Sequence, residues 1–267
     1  NFITLLSGGI AMASIQPIYD WTKGLGEEEE KMPVLFIGHG SPMNAIEDNE
    51  FSKRWQQMGK EIRTPKAVVV VSAHWLTKGT LVTAMPNPKT IHDFGGFPQA
   101  LFDVQYPAPG SPELASEFQK LVSIPAVELD YDWGLDHGTW SVVKHMYPNA
   151  DIPVLQLSID YYKPAAYHYE LAKQLLSLRK KGVLIIGSGN MVHNLRMVAW
   201  DKLNEPEYGF NWALEMNDVF KNKISNGFHK ELIQYEKLHK AATLAIPSPD
   251  HYYPLLYILA LQTDNDK

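Results

Sequence analysis

The sequence predicts a three-layer α/β fold, with a mostly parallel or mixed central sheet and helices on both of its faces. Three observations predict it. Short apolar runs without alternation recur along the chain, the pattern of strands buried on both faces. Segments carrying helix start and stop signals fall between these runs. Each run also ends at a Gly, Ser or His, where a strand gives way to a loop.

In chain order, "PVLFIG" (33–38) and "AVVVVSA" (67–73) are the first two strands. "SPELASEFQKLV" (111–122) follows as a helix, with Ser111 as N-cap and Pro112 in its first position, where a missing N–H costs nothing. "IPAVELD" (124–130) is a weaker strand and "IPVLQLSI" (152–159) a strong one. "KPAAYHYELAKQLLSLRKKG" (163–182) predicts one helix from Pro164 to a basic turn before Gly182. "GVLIIGSG" (182–189) is the last clear strand, and helices over "NWALEMNDVFKNKI" and "HYYPLLYILALQ" close the order, Pro254 being tolerable only in a first turn. Two long loops rich in Pro, Gly and aromatics, 84–111 and 131–140, are the expected walls of a pocket.

With 267 residues, 45% apolar and 11% aromatic, the chain is long enough for one large core, so a single α/β domain over 32–267 is expected. Residues 1–31 form an N-terminal arm ending in the acidic linker Glu27 to Glu30. The arm's apolar stretch is too short and too broken by Gly and Ser to span a bilayer. Ala11-Met12-Ala13 resembles a signal cleavage site, though no basic residue precedes it, and the expected compartment is the cytoplasm. A net charge of -6 without a basic cluster argues against nucleic acid as a partner. There is no cysteine, which excludes disulfides, thiolate metal sites and a cysteine nucleophile. A metal, if held, is held by nitrogen and oxygen.

Ligands in open α/β sheets bind beyond the carboxyl ends of the strands. Four histidines lie there or just past it: His39, His74, His193 and His251. Each alone reads as an ordinary hydrogen-bonded residue, but together at equivalent positions they predict a metal site with open positions. His137, in "LDHGTW", is placed to join them. His92, Trp75 and Phe94 are candidate substrate contacts for a flat ring, alongside Phe97 and Trp133. His145 and His168 read as core-edge or surface residues, and His229 and His239 as solvated. Neither G-x-G-x-x-G, G-x-S-x-G nor H-E-x-x-H occurs, which removes the dinucleotide, serine-hydrolase and zincin readings.

"FIGHGSPMN", "VVVSAHW", "TIHDFGGFP", "YPAPGSPELA", "DHGTW", "GSGNMVHNL" and "PDHYYPLLY", in this order, resemble the LigB-type class III extradiol ring-cleavage dioxygenases, in the 4,5-DOPA extradiol dioxygenase branch. The resemblance runs from about Met32 to about Leu261; the branch commonly carries a further segment after the last helix. It implies one non-haem Fe(II), with zinc able to take its place in purified protein, a catechol and O2 as substrates, and insertion of both oxygen atoms beside the diol. It assigns His39 and His74 as metal ligands, with His251 offered as the third where relatives outside the branch use a glutamate. His193 falls to either of two roles, ligand or the base that deprotonates the catechol. His137 is implied as the general acid, oriented by Asp136. A homo-oligomer is left open. The alternatives are a Memo-like metal- or ligand-binding protein without catalysis, and a zinc hydrolase using an activated water.

Overall fold

The computed structural model describes residues 30–267, apart from 124, 203–204, 206–207, 264–265 and 267. Most of the arm over 1–31 therefore lies outside the described residues. Six strands form one sheet: β1 (Val34–Gly38), β2 (Ala67–Thr77), β3 (Thr80–Thr83), β4 (Val127–Asp130), β5 (Val154–Asp160) and β6 (Val183–Gly189). Their spatial order is β1-β6-β2-β5-β3-β4, parallel throughout except where β3 meets β5. The expected α/β class with a mixed sheet is what forms.

The unalternating runs are buried on both faces for a visible reason. In β2, Ala67, Val69 and Val71 enter one apolar cluster while Val68 and Val70 enter the other. β6 divides likewise, Val183 and Ile185 against Leu184 and Ile186. On the second face pack α1 (Glu50–Glu61), through Trp55, and α4 (His137–Met146), through Trp140, Val142, Val143 and Met146. On the first face lie α3 (Pro112–Leu121), α5 (Ala165–Lys173), α7 (Asn211–Ser225) and α10 (Tyr253–Ala260). Each buried Leu, Ile or Val contributes about 1.5–3 kcal/mol relative to exposure. The remaining helices are short: α2 (Gln99–Phe102) in the long loop, α6 (Leu176–Lys180), α8 (His229–Ile233) and α9 (Ala242–Ala245). Among the described residues no helix is long and apolar enough to cross a membrane.

Four expectations change. β2 does not stop at Ala73 but runs on to Thr77, with a register shift against β5 between Val71 and Leu76, so His74 sits inside an irregular strand. β3, four residues after a turn through Gly79, gave no signal of its own. The single helix expected over 163–182 is two, α5 and α6, and Leu171, Leu175 and Leu178 on either side of the break all reach the core. The loop over 131–140 ends early, because the Asp136 carboxylate accepts the Thr139 N–H and caps α4, making His137 its first residue. Ser111 and Pro254 hold the helix-start positions expected of them.

The register brings the strand ends together: Gly38 lies beside Gly189, and Ser72 beside Ser188. Past β1 the chain turns at Gly40, whose φ of 62° favours glycine. α10 seats directly on the end of β6. A Cβ on Gly189 would lie 2.2 Å from the His251 carbonyl oxygen, next to the 2.9 Å bond from the Asn190 N–H to that same oxygen. Gly189→Ala should therefore force backbone apart at a cost of about 1–3 kcal/mol. A thermal melt should show Tm lower by roughly 3–10 °C; an unchanged Tm would contradict the close approach.

Candidate active site

Three imidazoles meet at the strand ends. His39, just past β1, is almost fully buried. Its Nδ1 lies 3.0 Å from Ser188 Oγ, whose own hydrogen is donated to the Gly138 carbonyl at 2.5 Å. His74, at the irregularity of β2, places Nε2 3.1 Å from His39 Nε2. His251, on the turn before α10, is bonded through Nδ1 to the neighbouring Asp250 carboxylate. Its ring centre lies 5.3 Å from that of His39 and 5.0 Å from that of His74. One nitrogen from each of the three fits within 4.8 Å of the other two, the spacing of a shared ion.

Two further histidines flank this group. The ring of His193 stacks on that of His251, centres 3.5 Å apart and planes 9° apart, and its segment is strapped by His193 N–H to Ala245 O and Asn194 Nδ2 to Leu244 O. It can share an ion with His251 and Asp250 but does not join the His39 and His74 group. The ring of His137 lies 4.0 Å from that of His74 and 5.6 Å from that of His39. Asp93, from the long loop, stands between His74 and His137. Its Oδ2 is 3.4 Å from His74 Nδ1, and its Oδ1 accepts the His137 backbone N–H at 2.9 Å. That same Oδ1 is 3.0 Å from His137 Nδ1, close but poorly aligned for a hydrogen bond.

Burial, reinforced by the neighbouring imidazoles, pushes His39 well below the usual histidine range and His74 down to about 3. His193 falls to about 4, from burial first and His251 second. These three are neutral at pH 7, with lone pairs free of protons. Asp136 moves the other way, up to about 6, because it is buried and faces the Asp93 charge.

The histidines open onto a cavity of about 520 Å³, shared by His39, His74, His137, His193 and His251. Its apolar wall is made by Phe97, Val192, Val198, Leu195 and Trp200, the last two largely exposed at the rim. Of the expected ring contacts, Phe97 lines the cavity, while Trp75, His92 and Phe94 do not. Trp75 is buried and stacked on Trp133, and His92 bonds through Nε2 to Val104 O and packs on Phe94, Phe102 and Trp140. Phe94 sits behind the site, edge-on to His137 and Phe97. None of these three is among the residues lining the cavity.

Asp136 does not orient the His137 ring. Its carboxylate is committed to Ser72 Oγ, Gln156 Nε2 and the Thr139 N–H, all buried donors, and Asp93 takes the place beside the ring. His168 is not at the core edge but fully buried, bonded to Tyr257 OH. His229 is not solvated; it bridges Tyr169 OH and Gln262 Oε1. Asp93, Ser188 and Trp200 were not singled out from the sequence, although Asp93 directly follows His92 in the loop that was.

Residues 33–267 match the family model of the catalytic LigB subunit of aromatic ring-opening dioxygenase. A relative from Escherichia coli K12 named 4,5-DOPA dioxygenase extradiol is 51% identical, over 86% of this chain and 84% of its own length. One of the same name from Beta vulgaris is 38% identical over 91% of each. The crystal structure of an uncharacterized protein from Escherichia coli K12 superposes with a TM-score of 0.76 at 43% identity, covering 89% of this chain and 91% of the other. Five histidines at one strand-end cavity and a match over nearly all the described residues lead to one conclusion: the chain belongs to the LigB family of aromatic ring-opening dioxygenases.

Proposed function

We propose that the protein opens the ring of a DOPA-like catechol in an extradiol dioxygenase reaction, with His39, His74 and His251 holding Fe(II). The observation that carries the metal assignment is the tautomer of His39. Ser188 Oγ spends its hydrogen on Gly138 O, so His39 Nδ1 must donate to it, and Nε2 is left as a bare lone pair aimed at His74 Nε2. His251 donates through Nδ1 to Asp250, which likewise bares its Nε2. Bare nitrogens on two of the three rings, with the third only 3.1 Å from His39 Nε2, make a set that a cation completes. The donor set, imidazole without thiolate, suits Fe(II) and also accepts zinc.

When bound, such an ion supplies the affinity for both catechol oxygens and the redox chemistry toward O2. The chain's own residues do the rest. His193, neutral at pH 7 and lining the cavity, accepts the proton of a catechol hydroxyl at a ring nitrogen. Its face-to-face contact with His251 holds it beside the ligand group. His137 returns a proton to the oxygen that develops charge as the ring opens. Phe97, Val198 and Trp200 give the cavity an apolar wall against which a flat ring can lie. Identity to relatives named for DOPA cleavage supports the substrate class and disfavours both the Memo-like and the hydrolase readings.

Protein reconstituted with Fe(II) without oxygen, then given L-DOPA and air, should take up O2 and yield a yellow semialdehyde. The absence of O2 uptake across a panel of catechols, with metal bound, would sink the proposal.

A further inference from the structure

Asp93 touches two different parts of this site with one carboxylate. Its Oδ2 lies 3.4 Å from His74 Nδ1, and its Oδ1 lies 3.0 Å from His137 Nδ1 while accepting the His137 backbone N–H at 2.9 Å. The carboxylate is largely buried, and the rings it serves are 4.0 Å apart. Neither contact has the alignment of a hydrogen bond, but an ionised carboxylate repels a bare lone pair and attracts a proton, so its charge beside both Nδ1 atoms favours the tautomer with N–H there. Both Nε2 atoms are thereby left bare: that of His74 as a ligand needs, and that of His137 to take up a proton, such as one released by the catechol, before handing it on. No other carboxylate stands beside either ring among the described contacts, since Asp136 is spent on Ser72, Gln156 and Thr139.

We propose that Asp93 is a positioning residue shared by the metal group and the proton-transfer group, orienting His74 as a ligand and His137 for proton transfer at Nε2 through its two oxygens. This rests on the roles proposed above for those two histidines. The plainer role is purely structural, Asp93 tying the 84–111 loop to the first turn of α4 through the His137 N–H. The two roles separate in Asp93→Asn. Asparagine keeps an acceptor for that backbone N–H, so the tie survives, but its amide hydrogens face the other ring's N–H, donor against donor.

The test measures Zn(II) affinity by competition with a chromophoric chelator, then kcat, KM and Tm, for the whole chain and for Asp93→Asn. The expected result is a Zn(II) affinity lower by about 10–100-fold, a kcat lower by about tenfold or more, KM within about twofold and an unchanged Tm. Wild-type values for both affinity and kcat would overturn the proposal. A His137→Gln background keeps it testable if Asp93→Asn folds poorly. There, with kcat read at saturating Fe(II), the affinity loss should persist while the further loss of kcat vanishes; an undiminished further loss of kcat under saturation would show that Asp93 does not act through His137, and would overturn it too. Should the wild-type chain itself bind no Zn(II), the metal reading above fails; wild type binding Zn(II) with Asp93→Asn matching it fails this inference alone.

Discussion

His39→Ala should abolish metal retention while the fold persists. His39 is the member of the proposed ligand group whose geometry is most completely determined: Ser188 fixes its Nδ1, Gly138 fixes Ser188, and β1 and β6 hold both through the pairing of Gly38 with Gly189. Loss of an outer partner such as the Ser188 hydroxyl costs about 10–100-fold in metal affinity, so loss of a direct ligand should cost at least about 100-fold. Metal content after gel filtration, measured on protein loaded with Fe(II) without oxygen, checks it, with circular dichroism confirming the fold. Wild-type metal content in this variant would remove His39 from the ligand group and leave the sets around His193 or His137 as the only candidates among the described residues.

The contrast between what the chain displays and what it hides follows from the range of each interaction. The strands of β2 and β6 were legible because both faces of each are buried, which makes their apolar runs unbroken. His39 and His251 stood out only as members of a set, since one histidine at a strand end is commonly an ordinary hydrogen-bonded residue and four at equivalent ends are not; the structure brings both to one cavity. His74 was placed after its strand, but a register shift keeps the strand going past it, and no local sequence marks a shift against β5. β3 was invisible because its four residues acquire meaning only by pairing with β4 and β5. The partners of the ring nitrogens were the least legible of all. Asp93 is separated from His137 by 44 positions and Ser188 from His39 by 149, and only the sheet brings them together. The aromatics were ambiguous for the opposite reason. Trp75, Phe94 and Phe97 look alike in sequence whether they face a cavity or pack away from it, and here only Phe97 lines it.

His137→Gln should retain metal and lose turnover. The side chain is neutral and of similar length, and the bonds that hold its position belong to the backbone: the N–H to Asp93 and the Asp136 cap on Thr139 both survive the change. Nothing in the His39, His74 and His251 group depends on it, so bound metal should match wild type. What goes is a group able to give up a proton, a contribution of about 10²–10⁴-fold in kcat for general acid catalysis. Because the lost interaction is made as the ring opens and not as the catechol binds, KM should change little and kcat and kcat/KM should fall together. Steady-state O2 uptake alongside metal analysis checks both halves. The two halves also decide between roles, since His74, Asp93 and His137 themselves lie within ligand distance of one another. If metal is lost from His137→Gln, the ion sits in that second group and His137 is a ligand; if metal stays and turnover goes, the proton is its work.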